Sequence, residues 1–251
     1  MQYRKLGNTG YEISALGFGA MRLPMRDSHV DEQQAIAAIH RGFELGINYI
    51  DTALGYNNEE SEIVVGKAVK GWRDRVWVST KNPLSDRPAD EWRACLEKQL
   101  RKLDLDYLDV YHCHGINWKV WEDHLSQPGK GIEAALKAKQ DGLFHHLAFS
   151  FHDKAENLKR LADTGVFEIV TCQYNLLDRS NEESMAYARD RGLGVVVMGP
   201  VGGGRLAGPS EVIQGLVAGG ARSTAEVALR FVLANPNVSC AISGMNTVAM
   251  R

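Results

Sequence analysis

Residues 76–114 read "VWVSTKNPLSDRPADEWRACLEKQLRKLDLDYLDVYHCH". The stretch begins with the apolar run "VWVSTK" (76–81) and ends with "YLDVYHCH" (107–114), and both runs are typical of buried strands. Between them, "EWRACLEKQLRKLD" (91–104) has the apolar spacing of an amphipathic helix. A strand, a helix and a second strand in this order predict two parallel strands joined by a helical crossover.

The same alternation extends over most of the chain. The other predicted strands are "ALGFG" (15–19), "NYID" (48–51), "HLAFS" (146–150), "IVTCQY" (169–174), "GVVVMG" (194–199) and "SCAIS" (239–243). Helical spacing also occurs in residues 31–46, 131–142, 154–165, 181–192 and 223–235. Eight strands alternating with helices in 251 residues predict an α/β fold, specifically a (β/α)8 TIM barrel.

An open, doubly wound sheet is the alternative α/β architecture. It would require a glycine-rich phosphate turn of the form GxGxxG after the first strand. Residues 17–22 read "GFGAMR", which does not match that form. The barrel is therefore the favoured fold.

We expect residues 1–251 to form one barrel domain. A short β-hairpin from "YRKLG" and "YEISA" should cap its N-terminal end, because the residues between them, Gly7-Asn8-Thr9-Gly10, suit a tight turn. The chain stops at Arg251, directly after the eighth predicted strand, and the final helix is missing from the pattern. The sequence therefore predicts a barrel that is C-terminally incomplete or one whose wall is partly exposed.

Composition narrows the class of protein. The chain is 44% hydrophobic and 24% charged, with a net charge of −2, and it has no stripe of clustered Lys and Arg. This argues against a nucleic-acid binder. Apolar runs fall far short of the ~20 residues that a membrane helix needs. The polar N-terminus "MQYRKLGNTG" has no signal-peptide core, so a cytoplasmic location is expected.

The four cysteines are widely scattered. They are Cys95, Cys113, Cys172 and Cys240, and no CxxC pair occurs. This spacing indicates neither a zinc site nor a disulfide framework. A reduced intracellular protein without a resident metal is the expectation.

Ionisable residues end several predicted strands, where the chemistry of a barrel is located. Asp51 ends one strand, Lys81 ends the next, and Tyr56 follows Asp51 closely enough to reach the same mouth. A free Tyr phenol has a pKa near 10, and a neighbouring ammonium lowers it. Lys81 could therefore make Tyr56 a usable acid, Asp51 would keep Lys81 charged, and a nearby His could polarise a carbonyl oxygen.

Two histidines compete for that last role. His112 and His114 lie two residues apart in one predicted strand, so they point to the same side. His114 is nearer the mouth and precedes Gly115. His112 should lie one layer deeper, either as a hydrogen-bonded polar residue of the core or as a partner that supports the catalytic residues. A metal pair is the other interpretation, but a third ligand at suitable spacing is missing.

The chain resembles the aldo-keto reductases. The similar segments, in order, are "NYIDTALGYNNEESEIVVGKAV" (48–69), "WVSTK" (77–81), "LDVYHCHG" (108–115), "AFS", "CQYN", "GPVGGGRL" (199–206) and "AISGM" (241–245). The resemblance implies carbonyl reduction with a nicotinamide cofactor, with Asp51, Tyr56, Lys81 and His114 as catalytic residues. "MRLP", "SFHD" and "SGMNT" resemble a bacterial branch that often carries a ferredoxin-like iron–sulfur segment, which would lie beyond Arg251.

The resemblance also implies a cofactor site. The residues implied are Gly19, Ala20, Met21, Ser150, Gln173, Met198, Gly199, Pro200, Gly202, Gly203, Ser243, Gly244 and Met245. Phe151 stands where most of the family has Asn, so one contact to the nicotinamide is in question. NADP(H) is the expected cofactor on family grounds, with NAD(H) as the alternative, because Arg251 is the only cation near the end of the eighth strand.

Two other functions remain open. Lys81 could form a Schiff base in a lyase or isomerase, or the chain could be a non-catalytic nicotinamide-binding regulatory subunit. The substrate is expected to be a small carbonyl compound that contacts the loop of residues 115–131, where Trp118 and Trp121 could wall the pocket. The oligomeric state does not follow from the sequence.

Overall fold

The computed structural model describes residues 1–215 and 220–248. Its centre is a closed barrel of eight parallel strands, and the strands follow one another around the barrel in chain order. Their bounds are β3 (Leu16–Gly19), β6 (Tyr49–Asp51), β7 (Trp77–Asn82), β8 (Leu108–Ile116), β9 (Phe144–Phe151), β10 (Ile169–Gln173), β11 (Gly194–Met198) and β12 (Cys240–Ser243). The predicted fold is confirmed.

Helices connect these strands on the outside of the barrel. The longer ones are α1 (Glu32–Glu44), α2 (Ser61–Val69), α3 (Ala89–Leu103), α5 (Gly131–Gln140), α6 (Ala155–Asp163), α7 (Glu182–Asp190) and α9 (Thr224–Ala234). Shorter turns of helix are α4 (Trp118–Val120), which continues into a π-helical turn (Trp121–Leu125), and α8 (Glu211–Gly215). α1 begins where the Asp31 side chain accepts a hydrogen bond from the Gln34 amide, a typical N-cap.

A β-hairpin covers the N-terminal end of the barrel, as the sequence predicts. It pairs β1 (Tyr3–Lys5) with β2 (Glu12–Ser14). Leu6 and Ile13 are fully buried in the apolar cluster that fills the barrel interior. Gly7 has a φ of 56°, and a Cβ there would lie 2.2 Å from the Gly194 amide nitrogen, so this close approach requires glycine.

Apolar side chains fill the lower barrel, whereas polar side chains occupy its mouth. The interior cluster includes Tyr49, Val110, Ala148, Ile169 and Val196, and a larger cluster lies between the sheet and the helices. Asp51, two residues after Tyr49 on the same strand, is buried among polar neighbours instead. The carboxyl ends of the strands therefore bring the ionisable residues together.

Some elements were not expected from the sequence. A second small hairpin pairs β4 (Met25–Arg26) with β5 (His29–Val30). α2 lacks an obvious polar face, since seven of its nine residues are buried, and so its helical period is hidden.

Arg251, together with any helix following β12, lies outside the described residues. Within those residues, no helix is both long and apolar enough to cross a membrane.

Candidate active site

A buried ion pair lies at the mouth of the barrel. Asp51 is the last residue of β6, and Lys81 lies near the end of the neighbouring parallel strand β7. Lys81 Nζ donates to Asp51 Oδ2 at 2.5 Å and to the Thr52 carbonyl oxygen at 2.7 Å. Each side chain of the pair is 3% exposed. Because water does not reach these charges, each depends on the other for compensation.

Tyr56 lies beside this pair. Lys81 Nζ is 4.9 Å from the centroid of the Tyr56 ring. The next three residues, 57–59, have φ values of 50°, 55° and 67°, which non-glycine residues seldom adopt. Such a backbone persists only where its surroundings hold it. Ser61 contributes by donating to the Ala20 carbonyl oxygen at 2.8 Å.

The pKa shifts of Tyr56 and Lys81 have opposing causes. Burial raises the pKa of Tyr56 above its usual value, and the Lys81 ammonium only partly offsets this effect. The pKa of Tyr56 is therefore raised, whereas Lys81 alone would lower it. Burial acts to lower the pKa of Lys81, but the charge of Asp51 opposes it, and the net pKa is raised. At neutral pH the site thus holds a phenol and an ammonium.

The two histidines occupy different environments on β8. The His114 ring centroid lies 6.3 Å from that of Tyr56, in an edge-on arrangement at 81°. Burial, with the Lys81 charge, lowers the pKa of His114 to about 4, so its imidazole is neutral. His112 is fully buried one layer deeper, and its Nε2 lies 2.9 Å from the Thr171 hydroxyl.

A cavity of about 450 Å³ opens next to Tyr56 and Asp51. Ten of the thirteen residues that the resemblance implies for the cofactor line it: Gly19, Met21, Gln173, Met198, Gly199, Pro200, Gly202, Gly203, Ser243 and Gly244. Six further residues, which the family resemblance does not imply, also line it: Arg22, Val201, Gly204, Ala207, Ile242 and Asn246.

Three expected cofactor residues do not line this cavity. Ala20 is fully buried in the larger apolar cluster. The Ser150 hydroxyl accepts a hydrogen bond from the Gly115 amide at 2.7 Å, and so it braces the end of β8. Met245 packs against the apolar cluster outside the sheet.

The glycine-rich loop forms one wall of the cavity. Gly202, Gly203 and Gly204 have φ values of 60°, 70° and 101°, so side chains there would be strained. Gly199 has open space beside it, because a Cβ at that position would lie no closer than 3.9 Å to its nearest neighbour, the Gln173 side chain. Consecutive main-chain amides in such a turn form a concave binding place for anions.

Arg22 brings a positive charge to the same wall. Its Nη1 donates to the Gly203 carbonyl oxygen at 3.1 Å, which links the end of β3 to the glycine-rich loop. The Cβ of Arg22 would lie 3.5 Å from a Cβ placed on Gly244, the residue that follows β12. A guanidinium beside a glycine-rich turn fits the diphosphate of a dinucleotide. In the sequence, the one indication of this role for Arg22 is its position directly after Met21.

The loop after β8 packs against the barrel instead of lining this cavity. Trp121 is 9% exposed, and its ring lies 5.5 Å from that of Phe167 in the outer core. Trp118 is half-buried, with the Arg160 guanidinium 3.7 Å from its ring centroid. A contact of Trp118 with the substrate stays a prediction.

All four cysteines are buried free thiols. Within residues 1–215 and 220–248, no group of three or more His, Cys, Asp and Glu side chains is arranged to hold a metal ion.

Known proteins with similar sequences agree with this geometry. Residues 15–250 match the model of the aldo/keto reductase family. The L-galactose dehydrogenase of Arabidopsis thaliana is 29% identical over 99% of this chain and 85% of its own length. The NADH-specific methylglyoxal reductase of Escherichia coli is also 29% identical, over 87% of this chain and 72% of its own length.

Solved structures give the same result. The holo form of an aldo-keto reductase from Bacillus halodurans superposes with a TM-score of 0.82 at 28% identity. The superposition covers 99% of this chain and 87% of that one. The chain, whose barrel mouth carries a buried Lys–Asp pair beside a tyrosine, thus belongs to the aldo/keto reductase family and is a nicotinamide-dependent oxidoreductase of carbonyl compounds.

Proposed function

We propose that Tyr56 is the general acid when the enzyme reduces an aldehyde or ketone, and the general base when it oxidises the alcohol. The observation that carries this proposal is the buried Lys81–Asp51 pair beside Tyr56, next to the glycine-lined cavity. The nicotinamide cofactor, when bound, supplies or accepts the hydride. The side chains hold the proton and the charges that develop.

Tyr56 holds the proton that the carbonyl oxygen receives. Its raised pKa keeps the phenol protonated at neutral pH. As the proton leaves, negative charge develops on the phenol oxygen, and the Lys81 ammonium stabilises that charge. Asp51 keeps Lys81 protonated and fixes its position through the 2.5 Å contact. The pair thus favours the transition state over the resting phenol.

His114 orients the carbonyl group. Because its pKa is about 4, the imidazole is neutral near pH 7 and can donate one N–H hydrogen bond. A neutral donor polarises the carbonyl oxygen without adding a second proton source that would compete with Tyr56. Its edge-on position against the Tyr56 ring supports a shared substrate position between the two side chains.

The cofactor would bind in the glycine-lined cavity. Arg22 and the main chain around Gly203 would hold the diphosphate, and Gln173 and Met198 would contact the nicotinamide end. We propose NADP(H) on family grounds, although a relative of this chain is NADH-specific. Dissociation constants of NADPH and NADH at low and high salt decide between them, since a 2′-phosphate contact weakens with salt.

The substrate is proposed to be a small polar carbonyl compound. Relatives include a methylglyoxal reductase and an L-galactose dehydrogenase. The test is a panel of methylglyoxal, simple aldehydes and aldoses, with nicotinamide absorbance followed in both directions. Turnover of at least one compound supports the proposal. Tight cofactor binding without any turnover would favour the regulatory-subunit alternative.

The Schiff-base alternative is disfavoured by the state of Lys81. A nucleophilic lysine must lose its proton, whereas the contact with Asp51 holds this ammonium in place. Borohydride added with each compound of the panel should leave the protein mass unchanged. A mass increase that disappears in Lys81→Met would support the alternative.

We also propose membership of the iron–sulfur branch and a cytoplasmic location. The branch assignment rests on "MRLP", "SFHD" and "SGMNT". Iron and labile sulfide measured on the protein purified from its own cells test the first proposal. Cell fractionation tests the second.

A further inference from the structure

A chain of polar side chains runs from Asp51 down into the barrel. Ser79 Oγ donates to Asp51 Oδ1 at 2.9 Å, and the same oxygen lies 3.2 Å from His112 Nδ1. His112 Nε2 lies 2.9 Å from Thr171 Oγ1. Ser79, His112 and Thr171 are at most 1% exposed, and they come from strands β7, β8 and β10. Since none of them lines the cavity, the proposed chemistry leaves them without a role.

The available protons determine which group donates in each of these hydrogen bonds. The Asp51 carboxylate accepts only, so the single proton of Ser79 points at Asp51. His112 Nδ1 must then donate to Ser79. A second contact agrees: Nδ1 is also 3.4 Å from the Thr80 carbonyl oxygen, which cannot donate. His112 Nε2 is therefore bare and accepts from Thr171.

The protonation state of His112 makes that direction possible. Burial, together with the positive charge of Lys81, lowers the pKa of His112 well below its usual value, so the ring is neutral. A neutral ring with its proton on Nδ1 leaves one donor and one acceptor, and both have partners. Thr171, His112 and Ser79 then each donate toward Asp51, and hydrogen bonds aligned in one direction strengthen one another.

We propose that Thr171, His112 and Ser79 form a relay of positioning residues that stabilises the Asp51 carboxylate from below, so that the Lys81 charge dominates at Tyr56. This inference rests on the proposed role of Tyr56. The Asp51 charge offsets part of the effect of Lys81 on the pKa of Tyr56, since the two charges act on the phenol in opposite directions. Donors on Oδ1 compensate part of the carboxylate charge and leave Oδ2 for Lys81.

Other ionisable groups surround this relay and must be distinguished from it. His114, Tyr49 and Cys240 lie near Asp51, and His152 lies near His114. Burial raises the pKa values of Tyr49 and Cys240, and burial lowers those of His114 and His152. The imidazoles of His114 and His152 are therefore uncharged above pH 7, and comparison with Tyr56→Phe separates the Tyr56 signal from that of Tyr49.

The first test follows the ionisation of Tyr56 directly. Tyrosine labelled with ¹³C at Cζ reports phenolate formation, and the Tyr56 signal is the one missing from Tyr56→Phe. Ser79→Ala should raise the Tyr56 midpoint by about one pH unit, or about tenfold, because a hydrogen bond to a charged group is lost. Thr171→Val should raise it by about half a unit. Thr171→Ser keeps the hydroxyl and should leave the midpoint unchanged.

The second test needs no substitution. The ¹⁵N chemical shifts of His112 in the wild-type protein at pH 7 should show a proton on Nδ1 and a bare Nε2. A proton on Nε2, or equal Tyr56 midpoints in Ser79→Ala and the wild type, would overturn the relay. Failure of the proposed function is distinguishable, because the tautomer and the Tyr56 midpoint are measured without turnover.

Discussion

His114 and His112 lie on one strand, and their partners give them different chemistry. His114 faces Tyr56, whereas the ring nitrogens of His112 already contact Ser79 and Thr171. We expect His114→Gln to lower kcat/KM about 10²-fold or more, since it disturbs a group aimed at the reacting oxygen. His112→Gln should cost less than about tenfold. Steady-state kinetics at pH 7 with saturating cofactor make the comparison, and the reverse ranking would refute the assignment.

The Asp51–Lys81 pair should matter for stability as well as for catalysis. Asp51→Asn leaves the Lys81 ammonium without its buried partner. This should lower the free energy of unfolding by about 3–5 kcal/mol. Glu32→Gln is the matched control, because Glu32 pairs with Lys67 at 2.6 Å on the surface and should cost about 1 kcal/mol or less. Urea unfolding at pH 7 measures both, and equal small losses would mean that the Asp51 pair is not desolvated.

At the scale of elements, the contact between the end of β3 and the glycine-rich loop should decide cofactor affinity. Arg22→Met removes the cation beside the loop amides. We expect the dissociation constants of NADPH and NADH to rise about tenfold or more, with less dependence on salt. Arg26→Met, whose guanidinium pairs with Asp31 away from the cavity, is the control. Unchanged affinity in Arg22→Met would place the diphosphate elsewhere.

Strands were more predictable than helices for a physical reason. Each barrel strand contains a short apolar run, and in β6 and β7 that run is followed by the polar residues Asp51 and Lys81. The pattern of α2 does not predict a helix, because Glu62 is buried like Val64 and Val65 and polar and apolar residues therefore do not separate onto two faces. The Glu62 carboxylate is held by Thr80 and Gln99, and a sequence does not reveal such partners.

At the scale of the whole molecule, closure of the barrel determines which distant residues meet. Asp51, Lys81 and His114 could be grouped from the sequence, because neighbouring parallel strands end at one mouth. Arg22 could not, since its partner Gly203 is 181 residues away along the chain. Ser150 matches the family pattern, yet its hydroxyl is engaged by the Gly115 amide. Only the three-dimensional structure reveals contacts of this kind.

Global stability should fall in weak acid because buried imidazoles must take up protons on unfolding. The pKa of His114 falls from 6.5 to about 4 through burial, and His112 shifts in the same direction. The stabilisation is complete above the unfolded pKa and is lost as pH falls from 6.5 toward 4. His114 alone accounts for about 3 kcal/mol. Urea unfolding from pH 7.5 to 4.5 should show a shallower loss in His114→Gln, and an identical slope would contradict the shift.

The most direct test of the central claim is the effect of Tyr56→Phe on single-turnover reduction of the best carbonyl substrate. The substitution removes the phenol proton and leaves Lys81, Asp51 and the cavity in place. The rate of hydride transfer should fall about 10²–10⁴-fold or more, whereas the cofactor dissociation constant should change less than about twofold. A variant that reduces the substrate at close to the wild-type rate would contradict the account, because the proton would then come from another group.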